Sequence, residues 1–78
     1  MLDIEKRIKF IMSEVLDLNQ DILNDDSSTN NLEEWDSMNH MNLIVALEEE
    51  FKCEFDEVDI ENMISFKIMK KIIEKKLK

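Results

Sequence analysis

Apolar side chains fall at positions 40, 43, 44, 47 and 51 when His40 is counted as half-apolar, the spacing that buries one face of an α-helix. Ala46, Leu47 and Glu48 to Glu50 are good helix formers, and neither Gly nor Pro interrupts them. Followed back by turns, this helix starts at Asp36 or Ser37, both residue types that cap unpaired first-turn amides. Ile4, Ile8, Ile11, Val15 and Leu18 repeat at the same period and predict an earlier helix over roughly residues 3–17, with Phe10 and Met12 off the main stripe. Near the end, Ser65 caps a helix reaching Leu77, with Phe66, Met69, Ile73 and Leu77 on one stripe and Ile68 and Ile72 widening it. Asp56 caps a brief third helix over about residues 57–63, with Val58 and Met63 turned inward and Asp59 and Glu61 outward.

Residues 18–36 are rich in Asn, Asp and Ser, whose short side chains compete for the backbone and favour turns. So long a connection needs docking to the core, and Ile22, Leu23, Leu32 and Trp35 are its expected anchors. The pattern predicts an all-α fold: a small four-helix bundle with a long first loop and a short third helix, in one domain over residues 1–78. At 78 residues the chain lies near the lower limit at which an apolar core suffices without staples.

Charge and cysteine usage narrow the function. The net charge is −9, divided into −14 over residues 1–64 and +5 over residues 65–78. An acidic body disfavours nucleic acid, which is held through Lys and Arg, and attracts basic partner surfaces. The C-terminal lysines suit the negative end of a helix dipole, and the apolar stripe beside them is needed by the core. The sole cysteine, Cys53, makes no internal disulfide, which fits a reducing compartment; without clustered bases it is expected to be a small, partly buried spacer. The first seven residues alternate charged and apolar side chains, unlike a signal peptide, and the longest apolar run, Leu43 to Leu47, is far too short to span a bilayer. The expectation is a cytoplasmic monomer.

The chemistry centres on Ser37. A serine at a helix mouth stands beside exposed amide donors and the positive end of the dipole, which favour an anion. Met38, Met41 and Val45, continued by Glu48, form a second row beside the buried face, suited to partners of varied shape through their flexible thioethers. Asp36-Ser37-Met38, the apolar helix that follows, and the ending Ala46-Leu47-Glu48-Glu49-Glu50-Phe51 resemble the acyl carrier protein family, whose motif is usually Asp-Ser-Leu. The resemblance covers nearly the whole chain. It implies that a phosphopantetheinyl transferase (holo-acyl-carrier-protein synthase) attaches 4'-phosphopantetheine from coenzyme A to Ser37. The arm's thiol then bears acyl groups as thioesters for acyl-loading and acyl-transfer enzymes, and the protein itself is not an enzyme. Asp36, Met38, Met41, Val45 and Glu48 would face those partners, and the short third helix would shift to admit the acyl chain. Asn39 and Asn42 stand where members serving fatty-acid synthesis commonly carry acids. With Trp35 and His40 they look more like a specialised, non-housekeeping carrier, including the aminoacyl or peptidyl type such as a D-alanyl carrier.

Other chemistries find less support. Asp17, Asn19 and Asp21 match the first three ligands of an EF-hand, but Ile22 and Ser28 stand where that loop needs Gly and Glu. One Cys and one His do not make a zinc site. Ser37 and His40 lie one turn apart, yet a hydrolase also needs a group orienting the histidine and oxyanion donors; by its spacing His40 faces the core. A helical adaptor using the Met38-Met41-Val45 row without a prosthetic group is the remaining alternative.

Overall fold

The computed structural model describes residues 3–77. Four α-helices follow one another: α1 (Ile4–Leu16), α2 (Ser37–Phe51), α3 (Glu57–Asn62) and α4 (Phe66–Lys76), with a 3₁₀ turn at Gln20–Ile22. Each α-helix starts on a side chain able to accept from its first turn: Asp3, Asp36, Asp56 and Ser65 accept from the amides of Lys6, Asn39, Asp59 and Ile68. In α3 the cap is reciprocal, because the Asp59 carboxylate also accepts from the Asp56 amide.

One core joins the helices. Ile8, Ile11, Met12 and Leu16 of α1 meet Leu43, Ile44, Leu47 and Phe51 of α2 and Phe66, Met69 and Ile73 of α4, with Leu23, Trp35, Phe55 and Met63 inserted from the connections. The stripe on α1 is rotated from the expected one: Met12 and Leu16 are fully buried, while Ile4, Val15 and Leu18 are only partly so. α1 packs against both α2 and α4, so it must bury a wider arc than a single stripe provides. Phe10 stays exposed.

The long connection is docked, with one anchor different from expectation. Leu23 and Trp35 are buried and Leu32 is partly buried, but Ile22 is half exposed, because the 3₁₀ turn directs Leu23 inward and leaves its neighbour outside. Asn side chains organise the loop by accepting from nearby amides: Asn19 from Asp21, Asn24 from Asp26, and Asn31 from Ser28. Residues 27–29 then lie antiparallel to the α3–α4 link, with Thr29 N–H donating to Ile64 O at 3.0 Å and Phe66 N–H to Ser27 O at 2.8 Å.

Two further expectations are corrected. In α3, Val58 is 64% exposed and Ile60 is the residue packed against the core; with its cap at Asp56, so short a helix turns the face of Ile60 and Met63 inward. In α4, Leu77 and Ile68 are exposed, since Leu77 is already the C-cap and Ile68 lies on the outer flank of the buried stripe. No helix of the described residues is long and apolar enough to cross a membrane.

The chain has no glycine, so the left-handed positions that end α1 and α2 fall to Asp17 (φ 56°) and Lys52 (φ 54°). A Cβ in that region costs roughly 1–2 kcal/mol. Lys52 is exposed, and while its amide closes the helix on Glu48 O its side chain makes no hydrogen bond or ion pair among the described residues. Lys52→Gly is therefore expected to stabilise the fold by about 1 kcal/mol, a rise in Tm of roughly 4–8 °C, measurable by thermal denaturation monitored by circular dichroism.

Candidate functional site

The site is built where the long connection enters α2. Trp35 is 2% exposed, Asp36 follows in extended conformation, and its Oδ1 accepts from the Asn39 amide at 2.8 Å. Ser37, the first residue of α2, is thereby turned out to solvent. Among the described residues no hydrogen bond holds its hydroxyl. The amides of Ser37 and Met38 have no partner within the helix, as is general for a first turn, and remain directed at the same mouth.

Asn39 adds a strap that the sequence did not reveal: its Nδ2 donates to Glu34 O at 2.8 Å, and its Oδ1 accepts from Asn42 Nδ2 at 3.4 Å. A carboxylate at position 39 has no donor for the Glu34 carbonyl, so the two amides help to fix the entry into α2. The signal available beforehand was that Asn39 and Asn42 lie one turn apart.

His40 is half-buried under this entry. Trp35 Nε1 donates to its Nδ1 at 2.9 Å, and the rings stack with centroids 6.0 Å apart. An indole N–H only donates, so Nδ1 is the acceptor, and the proton on Nε2 is given to Ile60 O at 2.9 Å. Both nitrogens are engaged by Trp35 and Ile60, so His40 is not free to take the proton of the Ser37 hydroxyl.

An open groove of about 410 Å³ runs beside Ser37. Asp36, Ser37, His40 and Met41 supply one wall, Ile60, Glu61 and Ile64 the other, and Thr29 closes one end. Met38 is 76% exposed, and Met41 and Val45 are about half exposed, so these three form a continuous accessible row down α2. Glu48 differs from them: it is half-buried, and its Oε2 accepts from the Phe55 amide at 2.9 Å, which ties α2 to the link before α3. Cys53 is partly buried and burial pushes its thiol above its usual value, the opposite of activation.

The sequence model of one family, described as a phosphopantetheine attachment site, matches residues 6–65. Acyl carrier proteins from three strains of Buchnera aphidicola subsp. Acyrthosiphon pisum (Tuc7, 5A and APS) are each 44% identical to the chain over 64 residues, 81% of this chain and 79% of theirs. The chain belongs to the acyl carrier protein family. It carries acyl groups on covalently bound 4'-phosphopantetheine, and the site suits such a group: a free hydroxyl at a helix mouth, unpaired amides around it, and an apolar groove alongside.

The wall formed by α3 is held to α4 by Lys76 Nζ and Asp59 Oδ2, 2.8 Å apart. The hydrogen bond from Lys76 holds the Asp59 carboxyl below its ordinary 3.8 and raises Lys76 above 10.5. A depressed carboxylate contributes stability above its unfolded-state value and loses it as pH falls through the folded-state value; the raised amine loses its contribution only as pH rises beyond 10.5. Lys76→Met is thus expected to lower the Tm of the carrier at neutral pH, and the gap to wild type should close as pH falls below 3.8. A thermal-denaturation series against pH checks this.

Proposed function

We propose that Ser37 is the attachment point of the arm and that the protein performs no chemistry of its own, serving as the substrate of one transferase and the acyl-bearing partner of others. The observation that carries this reading is the exposed, unbonded Ser37 hydroxyl at the first position of α2. In the transfer step the Ser37 oxygen loses its proton and bonds to the phosphorus of coenzyme A nearest the pantetheine. The pyrophosphate linkage breaks and the adenosine bisphosphate departs. With His40 engaged elsewhere, the transferase must supply the base.

Electrostatics at the mouth is nearly balanced. A helix N-terminus favours an exposed anion by about 0.3–1 kcal/mol, while a neighbouring carboxylate at roughly 4 Å in water opposes it by about 1 kcal/mol. The ester bond at Ser37, rather than attraction, holds the group, and its phosphate stays solvated and free to swing. The bound arm supplies a terminal thiol for thioester formation. The Met38-Met41-Val45 row and the Asp36 carboxylate are assigned to docking of the transferase and of acyl-loading and acyl-transfer enzymes. Glu48 contributes its charge to that face while anchored to Phe55. The reading is completed by a single unit over residues 1–78 acting as a monomer in the cytoplasm, supported by the lone thiol and the acidic surface.

Incubation with coenzyme A, magnesium and a broad-specificity phosphopantetheinyl transferase is expected to add the mass of one phosphopantetheinyl group to wild type and nothing to Ser37→Ala. Modification of both proteins, or of neither, would remove Ser37 from the mechanism. If acidic steering governs encounter, the modification rate of wild type falls as ionic strength rises; a rate indifferent to salt would exclude steering.

A further inference from the structure

One side chain in the α2 wall of the groove beside Ser37 also reaches across to the opposite wall. α3 packs mainly on α4, and the polar tie across the seam between α2 and α3 is His40. Its Nδ1 is fixed by the Trp35 indole and its Nε2 reaches Ile60 O, both at 2.9 Å. The Ile60 carbonyl needs this bond: α3 ends at Asn62, and the amide of Ile64 turns back to Asn62 O instead, leaving Ile60 among the unpaired carbonyls of a helix end. Behind His40 lies Trp35, buried and stacked on its ring. Opening the seam would take the Nε2 partner from His40 and leave the part-buried Ile60 carbonyl without a protein donor, while the Trp35 indole stays on Nδ1 and holds the ring aimed at α3; no buried side-chain nitrogen or oxygen among the described residues is unpaired in the closed form.

We propose that the Trp35–His40–Ile60 bridge makes His40 the specificity-determining residue of the carrier: it keeps the α2–α3 seam shut, so that a group tethered through Ser37 rests in the open groove against Met41, Ile60 and Ile64. The inference rests on the assignment of Ser37 as the attachment point. Met41 and Ile64 are themselves nearly half exposed, so an alkyl chain in this groove keeps much of its surface in water. Short or polar acyl groups lose little by this, whereas long alkyl chains lose the burial that would otherwise reward each methylene. The cargo class is therefore short or polar acyl groups.

The test loads wild type, His40→Val, His40→Gln and Trp35→Phe with butyryl, octanoyl and dodecanoyl arms from the corresponding acyl-coenzyme A thioesters, with intact mass confirming a single addition. Cleavage of each thioester by neutral hydroxylamine is then timed. Wild type is expected to show one rate across the series. His40→Val keeps an apolar filler but removes both hydrogen bonds, and its rate should fall with chain length, since each methylene that becomes buried multiplies the preference for a sheltered position about four-fold. His40→Gln retains a donor and an acceptor and should behave as wild type. Trp35→Phe, which removes the donor to Nδ1 together with part of the buried ring stacked on His40, frees the imidazole to turn away from Ile60; it gives a second loosening of the seam should His40→Val fail to fold, and is expected to show chain-length protection as well. Protection of the dodecanoyl thioester in wild type equal to that in His40→Val would overturn the inference, and so would variants that stay as unprotected as wild type. Absence of any mass gain on wild type would strike the Ser37 assignment itself and this inference with it, a result separate from the hydroxylamine series.

Discussion

The presentation of Ser37 depends on the burial of Trp35 two residues before it. A fully buried tryptophan removes about 150–250 Å² from water, which at about 25 cal/mol per Å² is worth roughly 4–6 kcal/mol as an upper bound. The Asp36 cap that follows is worth about 1 kcal/mol. The tryptophan therefore sets where the long connection ends, and the cap sets the direction in which α2 departs. Asp36 is the extended N-cap and α2 begins at Ser37, and this change of backbone from extended to helical carries the chain from a buried side chain at 35 to an exposed one at 37 without a glycine.

The helical layout was legible because three separate stripes repeat with the helical period and capping residues mark the starts of α2, α3 and α4. Burial within the stripes was less so. A period fixes which residues share a face, but the arc that a neighbour covers depends on packing, which is why Met12 and Leu16 were buried in place of a stripe running through Val15 and Leu18. Val58 and Ile22 were misplaced for a related reason: in a six-residue helix and a three-residue turn too few positions exist for a period to be read. Ser37 and the exposed row of Met38, Met41 and Val45 were legible from the capping signal and their offset from the core stripe. The pairing of His40 with Trp35 and Ile60 was not, since it links positions 20 residues apart through a backbone carbonyl, which has no sequence signature.

The uneven charge along the chain is largely resolved by folding. Lys70 meets Glu5 and Asp25, Lys76 meets Asp59, and Arg7 meets Glu50 while lying 4.5 Å above the Phe51 ring. Exposed pairs of this kind contribute only about 0–1 kcal/mol each, so their main consequence lies in where they leave charge. They use several of the scarce cations far along the sequence from Ser37, and the exposed acids around the site, Glu33, Glu34, Asp36 and Glu61, face solvent without a cation among the described residues. That local field, rather than the net charge, is what a basic partner meets on approach.

α3 shows how unequal supports divide a small domain into firm and yielding parts. Six residues form too few internal hydrogen bonds to persist alone, so the helix exists through its capping box, the buried Met63 and ties on two sides. On the α4 side the tie is a surface ion pair that water can replace at little cost. On the α2 side it is the part-buried hydrogen bond from His40 Nε2 to Ile60 O at 2.9 Å, with the imidazole itself fixed by the buried Trp35 indole. The two edges are therefore held differently: apolar packing and a surface ion pair on the α4 side, and an oriented histidine on the side facing Ser37.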